Sequence, residues 1–346
     1  MVSDLIQQFR DDSDNYDQTV ISLISFAHLL RYDNTNGKLK KDSFFFIGRK
    51  MDTSDKNRIR PNSFVTPDIV LQDNSQYGII GEVKKSLPQE KEFWKKTIKQ
   101  LHKYDDNLIG WKTSDEKINK CDLIFLTDYL LKSQVLEYLS EKKRIGEFST
   151  TNKFSLISFA KLSGSEEKFT FERVCGNFSD ERLNNLLKKG SPMPMPLEKV
   201  MQYNTNGAIK FYDSKPPLPY LMNILWQFVF PSIRPINQYV DEKGKKQFET
   251  NINFLTQELH DKFTHTDDHD SRQPKIPETA WVREAMEEFV RLGYAENKPN
   301  EKNSYIVKIR TIKDPFEKFC KEIVKGRSKK RGYVQATIDA FNDKGN

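Results

Sequence analysis

Two extended runs joined by a short polar turn constrain this chain more than any other feature. "SFVTPDIVL" (Ser63 to Leu71) and "YGIIGEVKK" (Tyr77 to Lys85) are rich in β-branched and aromatic residues, and "QDNSQ" between them is hairpin-turn material. Successive strand residues face opposite sides, so Glu82 and Lys84 point one way while Val83 turns into the core. The neighbouring hairpin strand can set Asp68 beside them. Two carboxylates and an ammonium are thereby expected on adjoining strands.

Carboxylates that converge within a few ångströms repel unless a cation sits between them. Hard oxygen ligands with room for water suit Mg²⁺ or Mn²⁺. A lysine next to such an ion can orient or help deprotonate a water, and can neutralise charge building up on a phosphate. The outline is that of a hydrolytic phosphodiester site.

The elements around the hairpin agree with a buried sheet. From Asp17 to Leu30, the residues Val20, Leu23, Ile24, Ala27 and Leu30 predict an amphipathic helix, and "SFFFIG" (Ser43 to Gly48) predicts another strand. After Pro88, which suits a helix start, Trp94, Ile98 and Leu101 form an apolar stripe, and "CDLIFLTDY" (Cys121 to Tyr129) reads as a buried strand. Strand-like runs follow at Phe154 to Leu162 and Phe169 to Cys175, then "SDERLNNLLKKG" as a helix stopped at Gly190. This order predicts an α/β domain whose mostly buried central sheet is flanked by helices.

Pro67, Asp68, Glu82, Val83 and Lys84, with these elements in this order, resemble the PD-(D/E)xK signature of the restriction-endonuclease-like nuclease superfamily. The resemblance spans about residues 1 to 175. It implies a mixed central sheet, with Asp68 and Glu82 holding a divalent metal, Mg²⁺ or Mn²⁺, and Lys84 assisting the attacking water. In the following helix Gln100 and Tyr104 share a face, with Lys96 one turn earlier. "QLHKY" resembles the QxxxY motif of the RecB-type branch, whose pair lines the active site near substrate.

One departure stands out. The superfamily usually carries a Glu on its first helix, whereas the first glutamate in this chain is Glu82. If that role is filled, an Asp must fill it: Asp17, at the head of the amphipathic helix, is the best placed, and Asp14 is the reserve. Asp17 is equally well explained as an aspartate favoured at a helix N-terminus by the macrodipole.

The 346 residues leave room for a second domain, because single cores stop growing near about 250 residues. The expected division is a nuclease domain over 1–190, a linker over 191–215 that includes "SPMPMP", a mainly helical domain over 216–312, and a basic tail over 313–346. Helices around Leu221 to Phe230, Asn253 to Phe263 and Glu278 to Leu292, followed by strand-like ends in "YAENKPNEKNSYIVKIR", match the winged-helix plan in pattern. On that plan Arg283 and Arg291 on the third helix, Lys298, Lys302 and Lys308 on the wing, and the tail "KGRSKKR" are candidate phosphate contacts. The unit can equally serve a homodimer or a protein partner.

Charged residues make up 30 % and aromatics 12 %, which suits a folded globular chain, and a net charge of +7 fits a nucleic-acid partner, DNA first, without requiring one. Three scattered cysteines support neither a zinc site nor a disulfide framework. A polar, acidic N-terminus and the lack of a long apolar run predict a cytoplasmic protein with no membrane partner. "HTDDHD" reads as a solvated loop, and His28 and His102 as ordinary helix residues. The function expected is a metal-dependent nuclease in a defence, repair or mobile-element system. Its alternative is a non-cleaving nucleic-acid-binding or assembly protein on a decayed nuclease fold.

Overall fold

The computed structural model describes residues 2–33, 38–39, 43–53, 64–73, 76–85, 91–105, 108–112, 118, 120–162, 168–196, 209–241, 244, 246–263, 272 and 274–326. The chain divides into two compact units: Asp17–Asp213 with Lys262–Pro274, and Met1–Tyr16 with Ser214–Asp261 and Lys275–Asn346. Among the described residues no helix is long and apolar enough to cross a membrane.

The first unit is built on strands β1 (Tyr32–Asp33), β2 (Lys38–Leu39), β3 (Ser43–Phe46), β4 (Met51–Asp52), β5 (Phe64–Val65), β6 (Ile69–Asp73), β7 (Tyr77–Lys84), β8 (Lys120–Asp128), β9 (Lys153–Leu162), β10 (Lys168–Gly176) and β11 (Met193–Pro196). Seven of these form one mixed sheet in the order β11-β10-β9-β8-β7-β6-β3. β7 and β9 both run parallel to β8, and the outer pairings are antiparallel. Strands β6 to β8 are near-continuous apolar runs because both faces of the sheet are covered.

Helix α2 (Lys91–Tyr104) and helix α3 (Lys132–Arg144) cover one face. Trp94, Ile98 and Leu101 of α2 and Val135 and Leu139 of α3 pack with Val70, Ile80, Leu123, Phe125 and Leu156 from the strands. The other face carries Phe171, whose ring centroid lies 5.7 Å from that of Phe26 on helix α1 (Val2–Arg31). α1 begins well before Asp17 because Ser13 and Tyr16 are buried and continue the stripe of Val20, Leu23 and Ala27; the polar Ser13 hides that period in the sequence.

The segment expected as a linker is partly structural. Met193–Pro196 pairs with Lys168–Phe171 as the outermost strand of the sheet, and Ile209 and Phe211 are buried. The basic tail likewise starts with a helix over 315–326 that buries Phe319, Cys320, Ile323 and Val324. Most of "KGRSKKR", like the histidines of "HTDDHD", lies outside the described residues.

In the second unit, α-helical turns at Leu218–Ile224 and Phe230–Asn237 flank a π-helical turn, Leu225–Val229. β12 (Gln238–Val240), β13 (Lys246–Asn251), the helix Ile252–Phe263, the helix Thr279–Arg291, β14 (Ala295–Asn297) and β15 (Ser304–Lys308) follow. The sheet order is β12-β13-β15-β14, all antiparallel. Trp226, from the π-turn, sits at the hub of the core, its ring centroid within 5.8 Å of those of Phe230, Phe289, Tyr294 and Phe319. Such a cluster adds edge-to-face attraction to its buried area.

Gly81 is the tightest point of β7. A Cβ there would meet Ile124 Cγ1 at 2.2 Å and Ile69 Cγ2 at 2.8 Å, the two residues registered beside it on β8 and β6. Gly81→Ala is expected to destabilise the protein by about 2 kcal/mol through overpacking, read as a lower urea midpoint. A change below about 0.5 kcal/mol would mean that the strands part easily at this position.

Candidate active site

The β6–β7 pairing decides which side chains meet. Its register runs from Asp73 opposite Tyr77 to Ile69 opposite Gly81. Asp68 is therefore the residue just before the paired segment and Glu82 the one just after it on the facing strand. Val83 N donates to Asp68 Oδ2 at 2.8 Å, so the Asp68 side chain continues the ladder where the backbone of β6 has left it. Pro67, whose ring removes a donor, still anchors the approach, since its carbonyl accepts from Gly48 N at 3.0 Å.

Glu82, 1 % exposed, faces α2 and accepts a hydrogen bond from Tyr104 Oη at 2.8 Å on its Oε2. Tyr104 Oη also lies 3.4 Å from the Thr66 carbonyl. Lys84, next on the same face of β7, donates its Nζ to Glu82 Oε1 and stands 3.7 Å from Asp68 Oδ2. Four of the six residues expected at the centre of the site, Asp68, Glu82, Lys84 and Tyr104, thus meet at one point.

The remaining two do not join this contact. Gln100 is partly exposed one turn before Tyr104 on α2, and Lys96 one turn earlier again is exposed. Asp17, expected to complete the metal shell, has its Oδ1 3.9 Å from Lys210 Nζ, a residue that sequence spacing did not connect with it. Asp14 is exposed on α1. Among the described residues no group of three or more His, Cys, Asp or Glu side chains is arranged to hold a metal ion.

The electrostatics follow from burial. Desolvation and the neighbouring Glu82 push the Asp68 carboxyl up to about 8, against the opposing pull of Lys84 and the Val83 N–H. Burial alone would lower the Lys84 pKa. The charges of Asp68 and Glu82 and the hydrogen bond to Glu82 outweigh it, and the net shift is upward, so Lys84 is an ammonium at neutral pH. Burial, then the charges of Glu82 and Asp68, raises the Tyr104 phenol, which stays a proton donor.

These residues fit a small hard cation. Two buried carboxylates face each other with one ammonium between them, and that single charge leaves Asp68 holding its proton far above the ordinary carboxylate range. Mg²⁺ characteristically takes one or two protein carboxylates and fills its octahedron with water and substrate phosphate oxygens. Asp68 and Glu82 are such a pair.

Features that the sequence did not signal also border the site. Lys85 Nζ contacts Gln18 Oε1 of α1 and lies 3.9 Å from Asp128 Oδ2. Asp213, in a stretch with no periodic signal, acts on both Asp68 and Tyr104. In the other unit, the cations expected to contact phosphate are mostly engaged: Arg291 with Glu288, Lys308 with Glu296, and Lys298 with Glu249 and Glu301. Arg283 is partly exposed and Lys302 exposed.

Asp68 sets a pH dependence. Its carboxyl titrates near 8 in the folded protein against an ordinary value of 3.8, so the folded state binds this proton more tightly than the unfolded chain. The associated stability is complete below pH 3.8 and is lost as pH rises through 8. In metal-free buffer, Asp68→Asn, whose amide oxygen can still accept from Val83 N–H, is expected to exceed the wild type at pH 9 by on the order of 2 kcal/mol. Thermal midpoints from pH 6 to 9 would show it, and parallel curves for the two proteins would contradict it. Compared with known proteins, the chain matches no family model, no curated protein and no solved structure.

Proposed function

We propose that the chain is a divalent-metal-dependent nuclease that hydrolyses phosphodiester bonds, with DNA as its substrate, on the restriction-endonuclease-like plan of the PD-(D/E)xK superfamily. The observation that carries this reading is the meeting of Asp68, Glu82 and Lys84 at the ends of two paired strands, with Tyr104 of α2 hydrogen-bonded to Glu82. Mg²⁺ or Mn²⁺ at Asp68 and Glu82 would supply Lewis-acid polarisation of a phosphate oxygen and ease ionisation of a water.

The side chains themselves have separable tasks. The Val83 N–H orients Asp68 and the Tyr104 phenol orients Glu82, so both carboxylates are aimed before any ligand arrives. Lys84, held as an ammonium, acts as a hydrogen-bond donor and a positive charge towards the phosphate under attack, not as a proton acceptor. The setting in a defence, repair or mobile-element system follows from the resemblance alone. In favour of the alternative, a non-cleaving binder on the same fold, stands the first helix, which brings no acid to the carboxylate pair: Asp17 lies by Lys210 and Asp14 is exposed.

Lys84→Ala is expected to lower cleavage about 100-fold or more with the circular dichroism unchanged. Asp68→Ala and Glu82→Ala are each expected to weaken Mn²⁺ binding in calorimetric titration as well as cleavage. A metal-dependent nicking assay on the wild type separates enzyme from binder. No nicking under Mg²⁺ or Mn²⁺, together with unchanged Mn²⁺ affinity in both carboxylate variants, would leave the non-cleaving alternative.

The second unit is winged-helix-like in this reading. Its support is the order helix, strand, helix, helix, hairpin and the sheet sequence β13-β15-β14. Its helix Thr279–Arg291 also carries Glu284, Glu287 and Glu288, and Arg291 and Lys308 are already paired. These pairs favour a protein partner or a second copy of the chain over a phosphate grip at this face. Replacing Lys302 and Lys308 together by Gln is therefore expected to change the slope of log K against log[salt] for duplex DNA by less than the roughly 0.9 of a single phosphate contact. A change of about 1.8 would return both lysines to the DNA interface.

A further inference from the structure

The segment over 209–213 belongs to the unit that holds the candidate active site. Its contacts lie within that unit. Ile209 is buried and Phe211 fully so, the Phe211 ring lying edge-on to Phe263 at 6.4 Å. Lys210 N donates to the Phe263 carbonyl at 2.9 Å, and Lys210 Nζ reaches Asp17. Two residues after this clamp stands Asp213.

Asp213 lies across the Cα of Gly48. A Cβ at Gly48 would fall 2.8 Å from Asp213 Cβ, 2.9 Å from its Cγ and 3.2 Å from its Oδ2. Gly48 has φ +64°, a conformation glycine adopts freely, and its N–H holds the carbonyl of Pro67, the residue before Asp68. The Asp213 carboxyl is therefore one residue contact from the backbone that carries Asp68. Its charge is among those acting on Asp68 and on Tyr104, while the adjacent Tyr212 acts on Lys84.

We infer that Asp213 is a positioning acid of this site: a carboxylate beside the Asp68–Glu82 pair whose negative charge, held in place by the segment over 209–213, strengthens divalent-cation binding at that pair. The inference rests on the metal-dependent reading above. Its physical content is charge balance. Once a dication displaces the Asp68 proton, Asp68 and Glu82 against Lys84 carry one net negative charge, and the Asp213 carboxylate adds negative potential close by. The same segment draws Asp17 into an ion pair with Lys210, so the acid expected from the first helix is replaced from the other end of the unit.

The test is Mn²⁺ titration of the full chain by calorimetry at low ionic strength, with thermal midpoints recorded alongside. Asp213→Asn is expected to weaken Mn²⁺ about fivefold to tenfold, the effect of one nearby charge in a medium of intermediate polarity, and Asp213→Glu to restore most of it. If the Asn variant does not fold, Asp213→Ser takes its place with the same expectation. Loss of affinity in Asp68→Ala with unchanged affinity in the neutral Asp213 variant would overturn the inference and leave the metal site standing. Equally weak binding in the Asn and Glu variants would also overturn it, since Asp213 would then act through packing on Gly48 rather than through charge. Unchanged affinity in Asp68→Ala as well would remove the metal site itself.

Discussion

The antiparallel pairing of β6 with β7 is the constraint on which the rest of this site depends. Side chains alternate across a strand, so a register that opposes Ile69 to Gly81 brings Asp68 beside Glu82 and puts Glu82 and Lys84 on the face of α2. A slip of one residue would send each of these groups to the opposite face. The pairing is protected from both sides: Gly81 leaves no room for movement between Ile124 and Ile69, and the parallel ladder to β8 runs unbroken from Tyr77 to Lys84. The geometry of the candidate site is thus a by-product of how a buried sheet has to pack.

That geometry has an electrostatic cost. Burying two carboxylates within reach of each other is unfavourable, and the upward shift of Asp68 records it. Lys84 offsets part of the repulsion, and the Val83 N–H and the Tyr104 hydroxyl satisfy oxygen atoms that water can no longer reach. Strain of this kind, kept in a buried sheet, is what the proposed cation would relieve on binding. The opposite arrangement occurs in the same unit. Asp122, equally buried, accepts from Tyr77 Oη and from both the N–H and the hydroxyl of Ser179, and its role is to tie the sheet to the turn after β10.

The second unit treats charge in a third way. Its expected DNA-facing cations lie on the surface, and most have acidic neighbours within ion-pair distance. Exposed pairs of this type contribute little stability. Their consequence here is to lower the net field of the helix and hairpin face, which makes that surface less attractive to a polyanion than a count of its lysines and arginines suggests.

Much of the first unit was legible in the order of residues. β-branched runs, a polar turn and an apolar stripe at helical spacing report local backbone preference and burial, and these identified β6, β7, β8, α2 and the trio Asp68, Glu82 and Lys84. Where local pattern was weak, reading failed for identifiable reasons. Ser13 interrupts the stripe that starts α1 early, and β13 buries Gln247 and Thr250 along with Phe248, so its alternation is masked by polar residues. The acid proposed as the third, Asp213, could not be found locally at all. Asp17 had the better sequence position, at the head of the predicted helix, yet it falls in the middle of α1 and pairs with Lys210, while Asp213 sits beside Gly48 because Phe211 is buried against Phe263 far along the chain. Sequence by itself determined which groups a strand or helix presents, because that depends on periods of two and three to four residues. Tertiary structure decided which distant charges share a site, because Coulomb energy depends on distance in space and not on separation along the chain.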